Sequence, residues 1–290
     1  MTPPLTYAEF LLVFVVAPVG LLLAVGPGVR RVRRRPAVVG VVVILFLALS
    51  YTIPWDNYLI SEGVWSYPEG TLLFRIGHMP IEEYSFVVLQ SVLTALWLYR
   101  RPLPDVEPSR STSHPDRVGP SEARTDGGRP VARYTLPGLR RFPGPRSRVL
   151  GTLFWGAITL AGFAMFIGPS ATFYVGAVLA WAAPGLAVQW ATGGGYLWRV
   201  RRRLVLAIGL PTLYLCLIDR VAVEWGLWQF SAVKLTGWTV LGLPVEEATF
   251  FLLTNALVVH GLVLFHPFVE GWRGFGHPST TADPATDEDA

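Results

Sequence analysis

Cysteine occurs once in the 290 residues, at Cys216 within an apolar stretch. No intramolecular disulfide can form, and a small packed side chain is its expected role. Charge is scarce too: 15% of residues are charged, against about 25% in a soluble domain. No strict apolar–polar alternation runs through the chain, which excludes a transmembrane barrel. No basic stretch precedes the first apolar run, so a cleaved signal peptide is not expected. Gly193-Gly194-Gly195 has no strand before it, so it is no dinucleotide fingerprint and is expected to be a flexible turn.

What the chain does have is apolar length. Hydrophobic residues make up 52%, and mean hydropathy is +0.44. Several windows run apolar for nearly the twenty residues a helix needs to cross roughly 30 Å of hydrocarbon. The fold class is therefore all-α, a polytopic membrane protein of about seven spans: Thr6–Val25, Ala37–Pro54, Ile81–Tyr99, Val149–Ile167, Ala171–Trp190, Leu204–Val223 and Val245–Phe265. Arginine blocks after the first, third and fifth spans, with Arg273, hold 21 of the 24 basic residues. Their placement makes the net charge of +4 a signal of membrane orientation, not of nucleic-acid binding. It puts the N-terminus outside and the C-terminus in the cytoplasm of a multi-pass cell-membrane protein. Residues 101–147 are rich in Pro, Ser, Arg and Gly, a composition unable to pack a core.

The two halves repeat. Asp56, Gly63 and Trp65 have the spacing of Asp219, Gly226 and Trp228. Glu82-Glu83 follow the first set, and Glu246-Glu247 the second, each just after a proline. Ala17-Pro18 answers Ala183-Pro184. Spans one to three thus match spans five to seven. An extra span between them keeps both copies in one orientation, giving two parallel three-helix repeats. The expected units are a first repeat (1–99), a flexible cytoplasmic linker (100–148), a connecting transmembrane helix (149–168), a second repeat (169–266) and a cytoplasmic tail (267–290).

Carboxylates at the mouths of membrane helices are expensive and are usually functional. Neighbouring helical residues point about 100° apart, so the two Glu of a doublet cannot serve one task symmetrically. One can face the bundle interior while the other caps or orients. Asp56 and Asp219 suit a supporting carboxylate or a proton relay, or simple interfacial anchoring. Asn57 and Arg220 stand beside them. Trp65, Tyr67, Trp228 and Phe230 suit either an interfacial belt or a ring-lined pocket that stabilises a cation. His78 has no counterpart in the second half, and no metal site is expected.

These residues carry a resemblance. Asp56-Asn57-Tyr58, Gly63-Val64-Trp65-Ser66-Tyr67 and Pro80-Ile81-Glu82-Glu83-Tyr84 resemble the membrane-integral lycopene cyclase domain of archaea, actinobacteria and fungi. Asp219-Arg220, Gly226-Leu227-Trp228 and Pro244-Val245-Glu246-Glu247 resemble its partner domain, which is a separate subunit in some bacteria. The second copy departs from the first where Arg220 replaces Asn57. The resemblance implies a lycopene beta-cyclase that forms γ- and β-carotene by acid–base chemistry, without redox change or cofactor. It implies acid and base among Glu82, Glu83, Glu246 and Glu247, with Asp56 and Asp219 supporting. Trp65, Tyr67, Trp228, Phe230, Asn57 and Arg220 would bind substrate. The implied partners are lipid-borne lycopene and membrane lipids, and there is room for contact with other carotenoid-pathway enzymes. A cyclase of longer C50 chains and a proton-coupled transporter built from parallel repeats are the alternatives. A retinal-binding receptor needs a lysine in the last span, and the only lysine, Lys234, lies in a loop.

Overall fold

The computed structural model describes residues 3–25, 35–100 and 145–273. The arginine block Arg30–Arg34, the linker from Arg101 to Gly144 and the tail after Arg273 lie outside the described residues. Six helices form the body: α1 (Tyr7–Ala24), α2 (Arg35–Ser61), α3 (Ile81–Tyr99), α4 (Pro145–Phe166), α5 (Phe173–Glu224) and α6 (Val245–Arg273). All six hold a stretch long and apolar enough to cross a membrane. Large apolar side chains face outward, with Phe46 69% and Leu160 73% exposed. This is a polytopic all-α membrane fold.

Five of the expected spans are separate helices. The fifth and sixth both lie within α5. A straight helix of its 52 residues would be about 78 Å long. Yet Tyr174 and Asp219, near opposite ends of α5, line one cavity. The chain therefore reverses inside α5 and forms two antiparallel arms. Gly193–Gly195, expected as a flexible turn, are helical and buried. Small residues let the neighbouring helices come close there. The Arg148 guanidinium donates to the Ala191 carbonyl at 2.8 Å beside them.

The repeated glycine after each second span has a local cause. Gly63 and Gly226 take φ of +68° and +73° just beyond the ends of α2 and α5. Val64 N–H donates to the Leu59 carbonyl and Gly63 N–H to that of Ile60. Leu227 donates to Ala222 and Gly226 to Val223 in the same way. This left-handed cap closes the last carbonyls of a helix and favours glycine. Each repeat then makes a short strand, β1 (Trp65–Ser66) or β4 (Gln229–Phe230), and a tight hairpin. The hairpins are β2–β3 (Arg75–Ile76, Met79–Pro80) and β5–β6 (Thr239–Val240, Leu243–Pro244). Pro80 caps α3 one position before the helix begins.

Two contacts reveal how the repeats are related. A residue that meets its own counterpart lies on the two-fold axis. Ser66 pairs with Gln229 in the antiparallel β1–β4 ladder. Gln90 Nε2 donates to Thr254 Oγ1 at 2.9 Å, deeper in the bundle between α3 and α6. Both are counterpart pairs by the Asp56/Asp219 and Glu82/Glu246 spacings. The pseudo-two-fold axis joins these points and so runs along the helices.

Beside the axis, Thr94 Oγ1 donates to Asn255 Oδ1 at 2.6 Å, and Asn255 Nδ2 donates to Thr212 Oγ1 at 3.1 Å. Asn255 is fully buried. Asn255→Leu strips partners from both threonines and is expected to cost about 1–2 kcal/mol. A lower thermal midpoint of the purified protein in detergent is the check.

Candidate active site

The Glu doublets split as helix geometry demands. Glu82 Oε1 accepts from the Leu73 N–H at 2.7 Å. Glu246 Oε1 accepts from the N–H and hydroxyl of Thr236 at 2.8 and 2.7 Å. The first glutamate of each pair thus ties its helix to the segment that precedes it. Glu83 and Glu247, one residue on, face a cavity.

The cavity lies between the β1–β4 ladder and the Gln90–Thr254 contact. Its volume is about 60 Å³, counted as room for the centres of water-sized molecules, and its lining comes from both repeats. Counterparts face one another across it: Asp56 and Asp219, Glu83 and Glu247, Trp65 and Trp228, Tyr67 and Phe230, Phe86 and Phe250. Four carboxyl groups therefore surround one aromatic space, with no Lys, Arg or His in its walls. Among the described residues, no three His, Cys, Asp or Glu side chains are placed to hold a metal ion.

The hydrogen bonds break the symmetry. Trp65 Nε1 donates to the Tyr67 hydroxyl at 2.9 Å, and Tyr67 donates to Glu83 Oε2. Burial, reinforced by the nearby Glu83, pushes the Tyr67 phenol well above its ordinary pKa, so it stays a donor. Phe230 offers no hydroxyl in the matching place. Glu247 Oε1 instead accepts from the Tyr174 hydroxyl at 2.5 Å. Among the described residues, Asp56 and Asp219 are buried without an ion pair, and Asp219 Oδ2 has no hydrogen-bond partner.

Tyr7 and Tyr174 line the cavity but carried no visible sequence signal. Tyr7 stands eleven residues before Pro18, and Tyr174 ten before Pro184. The extra residue is absorbed by a π turn at Leu12–Val16. With that shift the two tyrosines are counterparts. Tyr7 packs on Tyr67 and Trp228, with ring centroids 5.9 and 5.2 Å apart.

Asn57 and Arg220, expected to bind substrate, lie outside the cavity. Asn57 Oδ1 accepts from the N–H groups of His78 and Met79 at 2.8 and 3.2 Å, bracing the β2–β3 turn. A Cβ at Gly77, in the left-handed region at φ +67°, would sit 2.5 Å from that oxygen. Arg220 packs beside Gly242 of the matching hairpin and pairs with Glu224 at 3.9 Å. Each follows a cavity aspartate by one residue, so helical rotation turns it away. Asn57→Arg220 is thus a difference between two turn supports.

The sequence profile of the lycopene cyclase family matches residues 6–100 and again 171–265. The chain belongs to this family. The two matches fall on the two repeats that build the cavity. A lycopene beta-cyclase of Halobacterium salinarum strain R1 is 44% identical over 262 residues, covering 87% of this chain and 97% of its own. A bifunctional lycopene cyclase/phytoene synthase of Podospora anserina is 31% identical over 242 residues, 81% of this chain but 36% of its own. A protein of the same description from Arthroderma gypseum is 32% identical over 250 residues, 83% of this chain and 39% of its own. No solved structure matches.

Proposed function

We propose that the protein is a lycopene beta-cyclase that closes β-ionone rings at the ψ ends of lycopene by proton transfer alone. One observation carries this reading: equivalent carboxyl groups from both repeats, Asp56, Asp219, Glu83 and Glu247, converge on one aromatic cavity. Ring closure needs a proton donor, a proton acceptor and a wall that tolerates a carbocation. The tyrosine-bound glutamates are held as acceptors. The aspartates, with no donor bound to them, supply the proton.

A carboxyl proton of Asp56 or Asp219 adds to the terminal double bond and leaves a tertiary cation. The neighbouring double bond attacks, closing a six-membered ring and moving the positive charge into it. Glu83 or Glu247 then removes a ring proton and restores a double bond. One proton enters and one leaves, so no electrons are exchanged. Trp65, Trp228 and Phe250 line the cavity, and a ring face there stabilises a cation. Four buried carboxyl groups that make no ion pair among the described residues share protons more readily than they all ionise, which lets one cluster hold both acid and base.

The arginine distribution orients the hairpin end outward and the linker toward the cytoplasm. Carotenoid reaches the cavity from the lipid. A single axial cavity takes one ψ end at a time, so one-ring γ-carotene precedes β-carotene. Expression in a lycopene-accumulating bacterium, with pigments followed by chromatography, tests both points. Expected is early γ-carotene giving way to β-carotene; unchanged lycopene removes the cyclase reading, and β-carotene without its precursor removes the single site.

A further inference from the structure

The cavity holds the reacting end of a substrate, but the polyene is long enough to cross the roughly 30 Å hydrocarbon core. Most of it must lie outside. We propose that it leaves through the seam between α1 and the second arm of α5. This path deepens the cyclase reading and rests on it.

Two lateral seams of the bundle are related by the axis. α3 packs against α1, α2, α5 and α6, and α6 also packs against α2 and α5. By contrast, α1 meets the second arm of α5 through side chains, and α2 meets the first arm likewise. Each seam is latched by the same tyrosine. Tyr51 donates its hydroxyl to the Trp181 carbonyl at 2.6 Å, and its counterpart Tyr214 donates to the Phe14 carbonyl at 2.5 Å.

α4 breaks the equivalence. Its Phe166 lies 5.9 Å from Trp55, 6.3 Å from Tyr58 and 4.9 Å from Phe173, ring centroid to centroid. Trp55 lines the cavity, so α4 backs its wall on the Tyr51 side. No described helix covers the Tyr214 seam. Val13, Leu213 and Leu217 are each about half exposed beside it.

The bare seam is also built to yield. Phe14 lies in the π turn at Leu12–Val16, and Pro18, four residues on, has no N–H to offer its carbonyl. Tyr214 supplies a donor instead. Behind the latch stand the rings of Phe10, Phe14 and Trp225, with Phe10 itself a cavity wall. Rotating these rings connects cavity and lipid without unpacking α3 or α6. Flat apolar side chains suit a conjugated polyene, which needs no polar contact along its length.

The test ties each seam in a Cys216→Ala background. Phe14→Cys with Tyr214→Cys bridges the proposed path; Tyr51→Cys with Trp181→Cys bridges its counterpart. A short bifunctional thiol reagent joins the pairs, and each treated protein is compared with its untreated self on lycopene in detergent. The tied α1 seam should lower turnover at least tenfold, and the other tie less than twofold. Full turnover with the α1 seam tied, or loss on tying the α2 seam, overturns the path.

A second readout does not need turnover. Lycopene should slow alkylation of Phe14→Cys by a monofunctional maleimide several-fold and leave Trp181→Cys unchanged. Equal protection at both positions, or none at Phe14→Cys, also overturns the path. Untreated proteins that leave lycopene unconverted point to failure of the cyclase reading, while the alkylation rates still locate the polyene.

Discussion

Glu83→Gln and Glu247→Gln introduced together are expected to lower lycopene conversion by about 10²–10⁴, the range of a lost general acid or base. Glu82→Gln and Glu246→Gln, likewise paired, should lower it by less than tenfold. The four substitutions are chemically identical and lie at neighbouring positions. They differ in what the carboxyl touches. Glu82 and Glu246 accept hydrogen bonds from Leu73 and Thr236, which a glutamine carbonyl can still accept. Glu83 and Glu247 meet the cavity, where an amide cannot take up a proton. Initial rates in membranes with matched protein levels give the comparison. Equal losses from the two paired variants would end the division of labour.

Asp56→Asn combined with Asp219→Asn is expected to reduce conversion by a similar factor, with a different product pattern. Without a donor no cation forms, so only lycopene should be recovered. In the glutamate variants the cation still forms, but its deprotonation slows. Water can then trap it, leaving a hydroxylated product heavier than lycopene. Mass spectrometry of the pigments separates the two cases. Hydroxylated material from the aspartate variants, with lycopene alone from the glutamate variants, would exchange the roles of acid and base.

The doublets and the repeat were legible in sequence because both are written as spacing. Which glutamate faces inward was not, since that depends on how α3 and α6 are rotated within the bundle. Asn57 and Arg220 were drawn toward the site by adjacency to the aspartates, although one step along a helix turns a side chain about 100°. Tyr7 and Tyr174 escaped notice for a subtler reason. A one-residue insertion, absorbed in the π turn, shifts their register and hides their equivalence. The reversal inside α5 falls between the fifth and sixth expected spans, since apolar length and the arginine block mark two stretches even where helical hydrogen bonding continues.

The pseudo-two-fold axis through the cavity bears on stereochemistry. A ψ end can meet the site in two poses related by a half-turn, one with each repeat's aspartate at the double bond. A half-turn is a proper rotation and preserves handedness. Either pose therefore presents the same face of the double bond to its proton, and a label delivered from solvent ends on one side of the new ring. Tyr67 opposite Phe230 makes the poses unequal in rate. The fusion of two diverged halves thus leaves their catalytic contributions free to drift apart without loss of a single stereochemical outcome.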